Sequence, residues 1–144
     1  MIEETLTTFL KSLSTVTAII GEGNAARIRP DRLDQSETLP AILLEVDEEP
    51  QNDLSGVGGL VYADATLTCR AATKTAARAL AEAVRLNGTD PGTGLAGYHG
   101  TVSSVTFDAT LESTVTAWTP KGDGSEAGWF DAIASYVLSY AEVT

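Results

Sequence analysis

The chain has 144 residues, 43% of them hydrophobic and 20% charged, and a formal net charge of −11. That length and composition suit one folded domain with its own core, and they exclude a disordered tail and, with Cys69 as the sole cysteine, a disulfide scaffold. Nine Lys and Arg against twenty Asp and Glu leave no cluster of cations to displace counterions from phosphates, which excludes a protein that grips duplex DNA.

The first segment reads as an amphipathic helix. Ile2, Leu6, Phe9, Leu10 and Leu13 share one helical face, and Glu3 and Glu4 sit in the first turn, where the helix dipole favours negative charge. Val16, Ala18, Ile19 and Ile20 predict a short second helical turn, stopped by Gly21-Glu22-Gly23-Asn24. The acidic start Met1-Ile2-Glu3-Glu4 lacks the basic opening of a signal peptide, and no apolar run nears the roughly 18 residues of a membrane span. Synthesis in a host cytoplasm, with no membrane partner, is the expectation.

Extended pieces follow. Arg27-Ile28-Arg29-Pro30 predicts a brief strand, and Leu39 to Val46 a stronger one with Pro40 at its start. Pro50 to Gly59, with Asn52, Asp53, Ser55 and three glycines, reads as a flexible connection. Val61, Ala63, Ala65, Leu67, Cys69 and Ala71 then alternate with polar residues, so one face of that strand is buried and the other wet. Thr73 is placed to cap a helix running to about Leu86, with Ala76, Leu80, Ala83 and Val84 as its apolar stripe and Asn87-Gly88 as its end.

Residues 88–100 read as a glycine-rich loop. Val105, Phe107, Ala109 and Leu111 alternate with Thr106, Asp108, Thr110 and Glu112 in another strand. Residues 113–128 are weakly patterned, with a turn at Pro120 to Gly124. The last strand runs from about Trp129 to Val143; Phe130, Ala132, Ala134, Tyr136, Leu138 and Tyr140 share one face, and Ile133 and Val137 imply partial cover on the other. Helix, strands, helix, strands is an α+β order. It predicts a mostly antiparallel sheet of four to five strands with two helices packed on one face, in a single domain spanning 1–144.

No catalytic or cofactor constellation emerges. Gly92-Thr93-Gly94-Leu95-Ala96-Gly97 and Gly21-Glu22-Gly23-Asn24-Ala25-Ala26 match the dinucleotide pattern by letters. Each, however, follows a helix and leads into a strand, whereas pyrophosphate binding needs a strand before and a helix after. His99, the single histidine, reads as a solvated loop residue without a nucleophile partner, and Cys69 as a small core residue. One His and one Cys cannot build a usual zinc cluster. The chain is therefore expected to be no enzyme and to bind no cofactor or metal. The densest charged feature is the acidic run Glu45, Asp47, Glu48, Glu49 and Asp53, which lacks calcium-loop spacing. It is either a solvated strand end and loop, or a negative surface facing a partner or a channel.

The layout as a whole resembles the tail-terminator, or tail-to-head joining, proteins of long-tailed bacteriophages. The resemblance rests on four features: the opening amphipathic helix; the Leu39 to Val46 strand with its acidic, glycine-bearing sequel Asp47 to Gly59; the alternating strand Tyr62 to Arg70 feeding the alanine-rich helix Thr73 to Leu86; and the ending Gly128-Trp129-Phe130-Asp131-Ala132 with Tyr136-Val137-Leu138-Ser139-Tyr140. It implies a virion subunit at the tail–head junction that forms a homohexameric ring, caps the tail tube and stops its elongation. Its partners would be the tail tube protein and a head-completion or neck protein, with DNA passing through unbound. It implies no catalytic residue. Another phage neck or head-completion protein, and a small acidic bacterial binding module or enzyme, are the alternatives.

Overall fold

The computed structural model describes residues 2–23, 26–30, 38–53, 56–86, 94–120 and 128–141. In chain order these form α1 (Ile2–Ser12), α2 (Ser14–Ile20), β1 (Ile28–Arg29), β2 (Ala41–Asp53), β3 (Gly56–Ala71), α3 (Lys74–Leu86), β4 (His99–Val102), β5 (Val105–Pro120) and β6 (Gly128–Ala141). The strands make one sheet in the order β1-β2-β3-β6-β5-β4. β1 runs parallel to β2 and all other pairs are antiparallel. The class is α+β as expected, but the described residues hold six strands and three helices where four to five and two were predicted.

Each helix buries one apolar face. Ile2, Leu6, Phe9 and Leu10 of α1 are buried, and Leu13, in extended conformation, ends the helix and starts α2, which buries Val16 and Ile20. Gly21, at φ 99°, donates to the Thr17 carbonyl and turns the chain. Arg27 then ties α2 to the sheet: its guanidinium donates to the Ile19 carbonyl at the helix end and to the Pro40 carbonyl ahead of β2, at 2.9 and 2.8 Å. A cation there complements the helix dipole. α3 is capped as expected, the Ala76 amide donating to Thr73 Oγ1 at 3.1 Å. Its buried stripe is Ala77, Leu80, Ala81 and Val84. The predicted Ala76 and Ala83 are only half-buried, at the margin of that stripe, where the Thr15 hydroxyl of α2 donates to the Ala83 carbonyl at 3.2 Å. The expected helix end at Asn87-Gly88 lies outside the described residues.

The core lies between the helices and one sheet face. Ile42, Leu44, Ala65, Leu67, Ala134, Tyr136 and Leu138 meet Leu6, Leu10, Leu80 and Val84 there. Phe9, Tyr98 and Phe107 stack at one end, with ring centroids 4.5, 5.1 and 6.1 Å apart. α1 touches both β2 and β4, near opposite ends of the strand order, so the sheet is curled around it.

Three expectations need correcting. The connection expected at Pro50 to Gly59 is ladder: Pro50 pairs with Val61, Asn52 with Val57 and Asp53 with Gly56, leaving residues 54–55 outside the described set. Pro50 is accommodated because the Ile42 amide points away from β3, toward the Arg27 carbonyl. Alternation puts the Pro50 nitrogen on that same outward edge, where no β3 bond is lost. Residues 113–120, expected to be irregular, continue β5, and 121–127 lie outside the described set. A bulge at Glu112, between the Leu111–Tyr136 and Ser113–Ser135 pairs, resets the alternation. Residues 99–100, expected in a loop, open β4.

Candidate partner and channel surface

The acidic run is divided by the pleat of β2. Glu45 pairs with Thr66 and Asp47 with Asp64, and all four side chains lie on the sheet face that carries no helix among the described residues. Glu48 pairs with Ala63 and so projects to the helix side, exposed. Glu49 pairs with Tyr62 and Asp53 with Gly56 along the backbone, but their side chains are outside the described set. The run is therefore not one patch. The tertiary structure replaces it with a different grouping on the helix-free face.

That face gathers Glu45, Asp47, Asp64 and Asp108, with hydroxyls from Thr66, Ser135, Ser139 and Thr110 among them. Asp47 and Asp64 stand directly opposite on neighbouring strands, an arrangement of like charges that pairing alone disfavours. Asp64 and Asp108 lie outside the acidic run that the sequence singles out. Their signal lies in the polar phase of two separate alternating strands and becomes a surface only when β6 brings those strands into one sheet. His99 is exposed, and its Nδ1 hydrogen-bonds the Asp108 carboxylate across the β4–β5 pair.

The other end of the same face is built differently. Arg70 donates from Nε and an Nη to both oxygens of Asp131, at 2.8 and 3.1 Å. The Thr119 hydroxyl donates to Asp131 at 3.3 Å, and the guanidinium covers the Trp129 ring at 4.3 Å. The bidentate fork and the ring stacking are geometries that arginine offers and lysine does not. Arg70 and Asp131 side chains are 14% and 7% exposed, so the pair works in a partly desolvated site. The Trp129 indole N–H is buried without a partner among the described residues. Close approach of β5 to the start of β6 excludes any side chain at Gly128, whose Cβ would meet the Thr119 carbonyl and the Trp118 ring.

Cys69 and Tyr136 are buried. Cys69 is 1% exposed under the helices, and burial, helped by the Asp131 charge, pushes its thiol up to about 12. Burial likewise raises Tyr136, whose hydroxyl has no hydrogen-bond partner among the described residues. The two glycine-rich stretches connect elements: Gly21 and Gly23 follow α2, and Gly94–Gly97 pass under the end of α3, with the Leu95 amide on the Val84 carbonyl at 2.8 Å. Among the described residues, no three His, Cys, Asp or Glu stand where they could hold a metal ion, and no helix is long and apolar enough to cross a membrane.

No protein-family model matches the chain, and no curated protein sequence matches it significantly. Among solved structures, the fold is similar to a chain of the "Virion of native gene transfer agent (GTA) particle". The TM-score is 0.62 at 13% identity, covering 96% of this chain and 94% of that chain. At that identity the likeness is one of fold, shared from end to end.

Proposed function

We propose that this chain is a non-enzymatic structural protein of a phage-like virion. In this reading it forms a homo-oligomeric ring, a hexamer by resemblance, that caps a tail tube and joins it to the neck. The observation that carries the reading is the end-to-end likeness of fold to a chain of a gene transfer agent virion. The layout of the sequence supports it independently. So does the helix-free face: a sheet surface bearing Glu45, Asp47, Asp64 and Asp108 repels phosphate, which suits a channel that must pass DNA without holding it. The acidic grouping on that face, rather than the run Glu45 to Asp53 as one unit, is the channel surface in this reading.

Negative-stain microscopy of the purified protein is the direct test. Rings with a central opening are expected. A protein that stays monomeric by light scattering as its concentration is raised, where mass action favours assembly, would refute the reading. Adding rings to purified tail tubes then separates the terminator from another neck component: the terminator caps tube ends and stops their growth.

A further inference from the structure

The chain carries an apolar groove on one flank and an exposed tryptophan toward the other, and we infer that Trp118 of one subunit seats in the α2–α3 groove of the next. This rests on the ring reading above and states what would hold neighbouring subunits together.

The groove follows from the spacing of α3. Ala77, Leu80, Ala81 and Val84 are spent on the core, but Ala79, Ala83 and Leu86, four and three residues apart, form a second apolar stripe beside them. That stripe faces Ala18 and Ile19 of α2, and the alanines on both helices leave a cavity of about 470 Å³ between them. This is the size of a site for a small apolar group. The polar atoms that line it are already engaged. The Thr15 hydroxyl donates to the Ala83 carbonyl at 3.2 Å, and Glu82 accepts from Arg85 Nε and an Nη at 3.1 and 2.7 Å. Hydrocarbon is what the groove has to offer, with the exposed Glu82 carboxylate at hand.

Trp118 matches it. Its side chain lies on the helix side of β5 and is still 50% exposed. The indole rests on the backbone of Gly128, where a Cβ would come within 2.8 Å of the ring. A ring held that closely has little freedom left to lose on docking. Tryptophan combines a large apolar body with a single N–H, so the body suits the methyl-lined walls and the N–H suits the Glu82 carboxylate.

Charge and placement name a second copy as the occupant. At −11 per chain, two copies repel wherever their acidic surfaces meet. Thr110 to Pro120 carries one charge, Glu112, and the carboxylate in the groove is paired with Arg85. These are the surfaces two copies can bring together without setting carboxylate against carboxylate. Arg27 fastens the end of α2 to the chain ahead of β2, near one end of the strand order, while β5 lies toward the other. Each subunit can therefore receive one neighbour and enter another. A contact between unlike surfaces is heterologous, and repeated addition closes into a ring where the rotation allows.

The test is a pair of complementary variants. Trp118→Ala removes the inserted side chain, and Ala79→Glu places a charge in the groove at an exposed position with a good helix former. Each alone is expected to weaken the subunit contact about thirtyfold or more, so that rings fall to monomers in size-exclusion chromatography where the wild type assembles, with circular dichroism unchanged. Mixed in equal amounts, the two are expected to form heterodimers and nothing larger. The intact Trp118 of one variant enters the intact groove of the other, and both remaining surfaces are spoiled. Rings from either variant alone, or a mixture that stays monomeric, would overturn this contact and leave the ring reading standing. Ala79→Glu rings that no longer cap tail tubes would give the groove to the tube protein, and would also overturn it. Absence of rings in the wild type would overturn both.

Discussion

Asp131 is the residue whose loss should be felt most on the helix-free face. Its carboxylate takes both arms of Arg70 and the Thr119 hydroxyl, and Arg70 in turn covers Trp129. Asp131→Ala leaves the guanidinium largely desolvated and unpaired, and should cost roughly 3 kcal/mol of stability in urea unfolding. Cys69 and Tyr136 give a second prediction, on pH. Cys69 rises from 9.0 to about 12 on folding, and Tyr136 also rises, both through burial. A raised acid group stabilises the fold fully below its unfolded value, and that contribution is lost as pH climbs toward the folded one. Stability should therefore be flat up to about pH 9 and then decline, because only the unfolded chain gives up its protons. Urea midpoints on either side of that pH measure it. Cys69→Ala should reduce the alkaline slope, and an unchanged slope in Cys69→Ala/Tyr136→Phe would refute the assignment.

At the scale of elements, α3 depends on its first turn and its small residues. Thr73→Ala removes the hydrogen bond to the Ala76 amide and should cost about 1 kcal/mol, read by thermal or urea unfolding. Thr73→Ser should restore most of it. β5 shows why local patterning can fail within one strand. Phe107 and Ala109 face the helices, and after the bulge at Glu112 the helix-side residues are Thr114, Thr116 and Trp118, paired with Ala134, Ala132 and Phe130. A period of two read straight through Glu112 loses phase, so the second half looks irregular although it is fully paired with β6. The β2–β3 ladder hides in the sequence for another reason. Gly58 and Gly59 take up the register shift opposite Gln51 and Asn52, and glycines read as loop.

For the molecule as a whole, the proposed ring ties assembly to the charge of the helix-free face. Asp47 and Asp64 repel across one strand pair, and a ring would multiply such contacts. Asp47→Asn/Asp64→Asn should leave assembly intact and strengthen it at low ionic strength, with the difference fading as salt screens the wild type. Size-exclusion chromatography at low and high salt measures this. Loss of the ring in the double variant would show that the carboxylates hold subunits together, contrary to the channel placement proposed for them.

The sequence by itself determined the α+β class, the buried stripe of α1, the alternating face of β3 and the cap of α3. Each of these depends on neighbours a few residues apart, and a period of 3.6 or 2 carries them. It also determined that Cys69 is core, since Cys69 falls in phase with Ala65 and Leu67. The tertiary structure alone decided the strand order, the turn of α3 onto Ala77 and Ala81, and the Arg70–Asp131 pair, whose partners lie 61 residues apart. It decided the candidate surface as well. In the sequence Glu45, Asp47 and Glu48 are neighbours, yet in the sheet Glu48 is on the other side and Asp64 stands beside Asp47. The physical reason is the pleat: adjacent residues of a strand point to opposite faces, so charges close in the chain are parted and charges far apart are joined by the ladder.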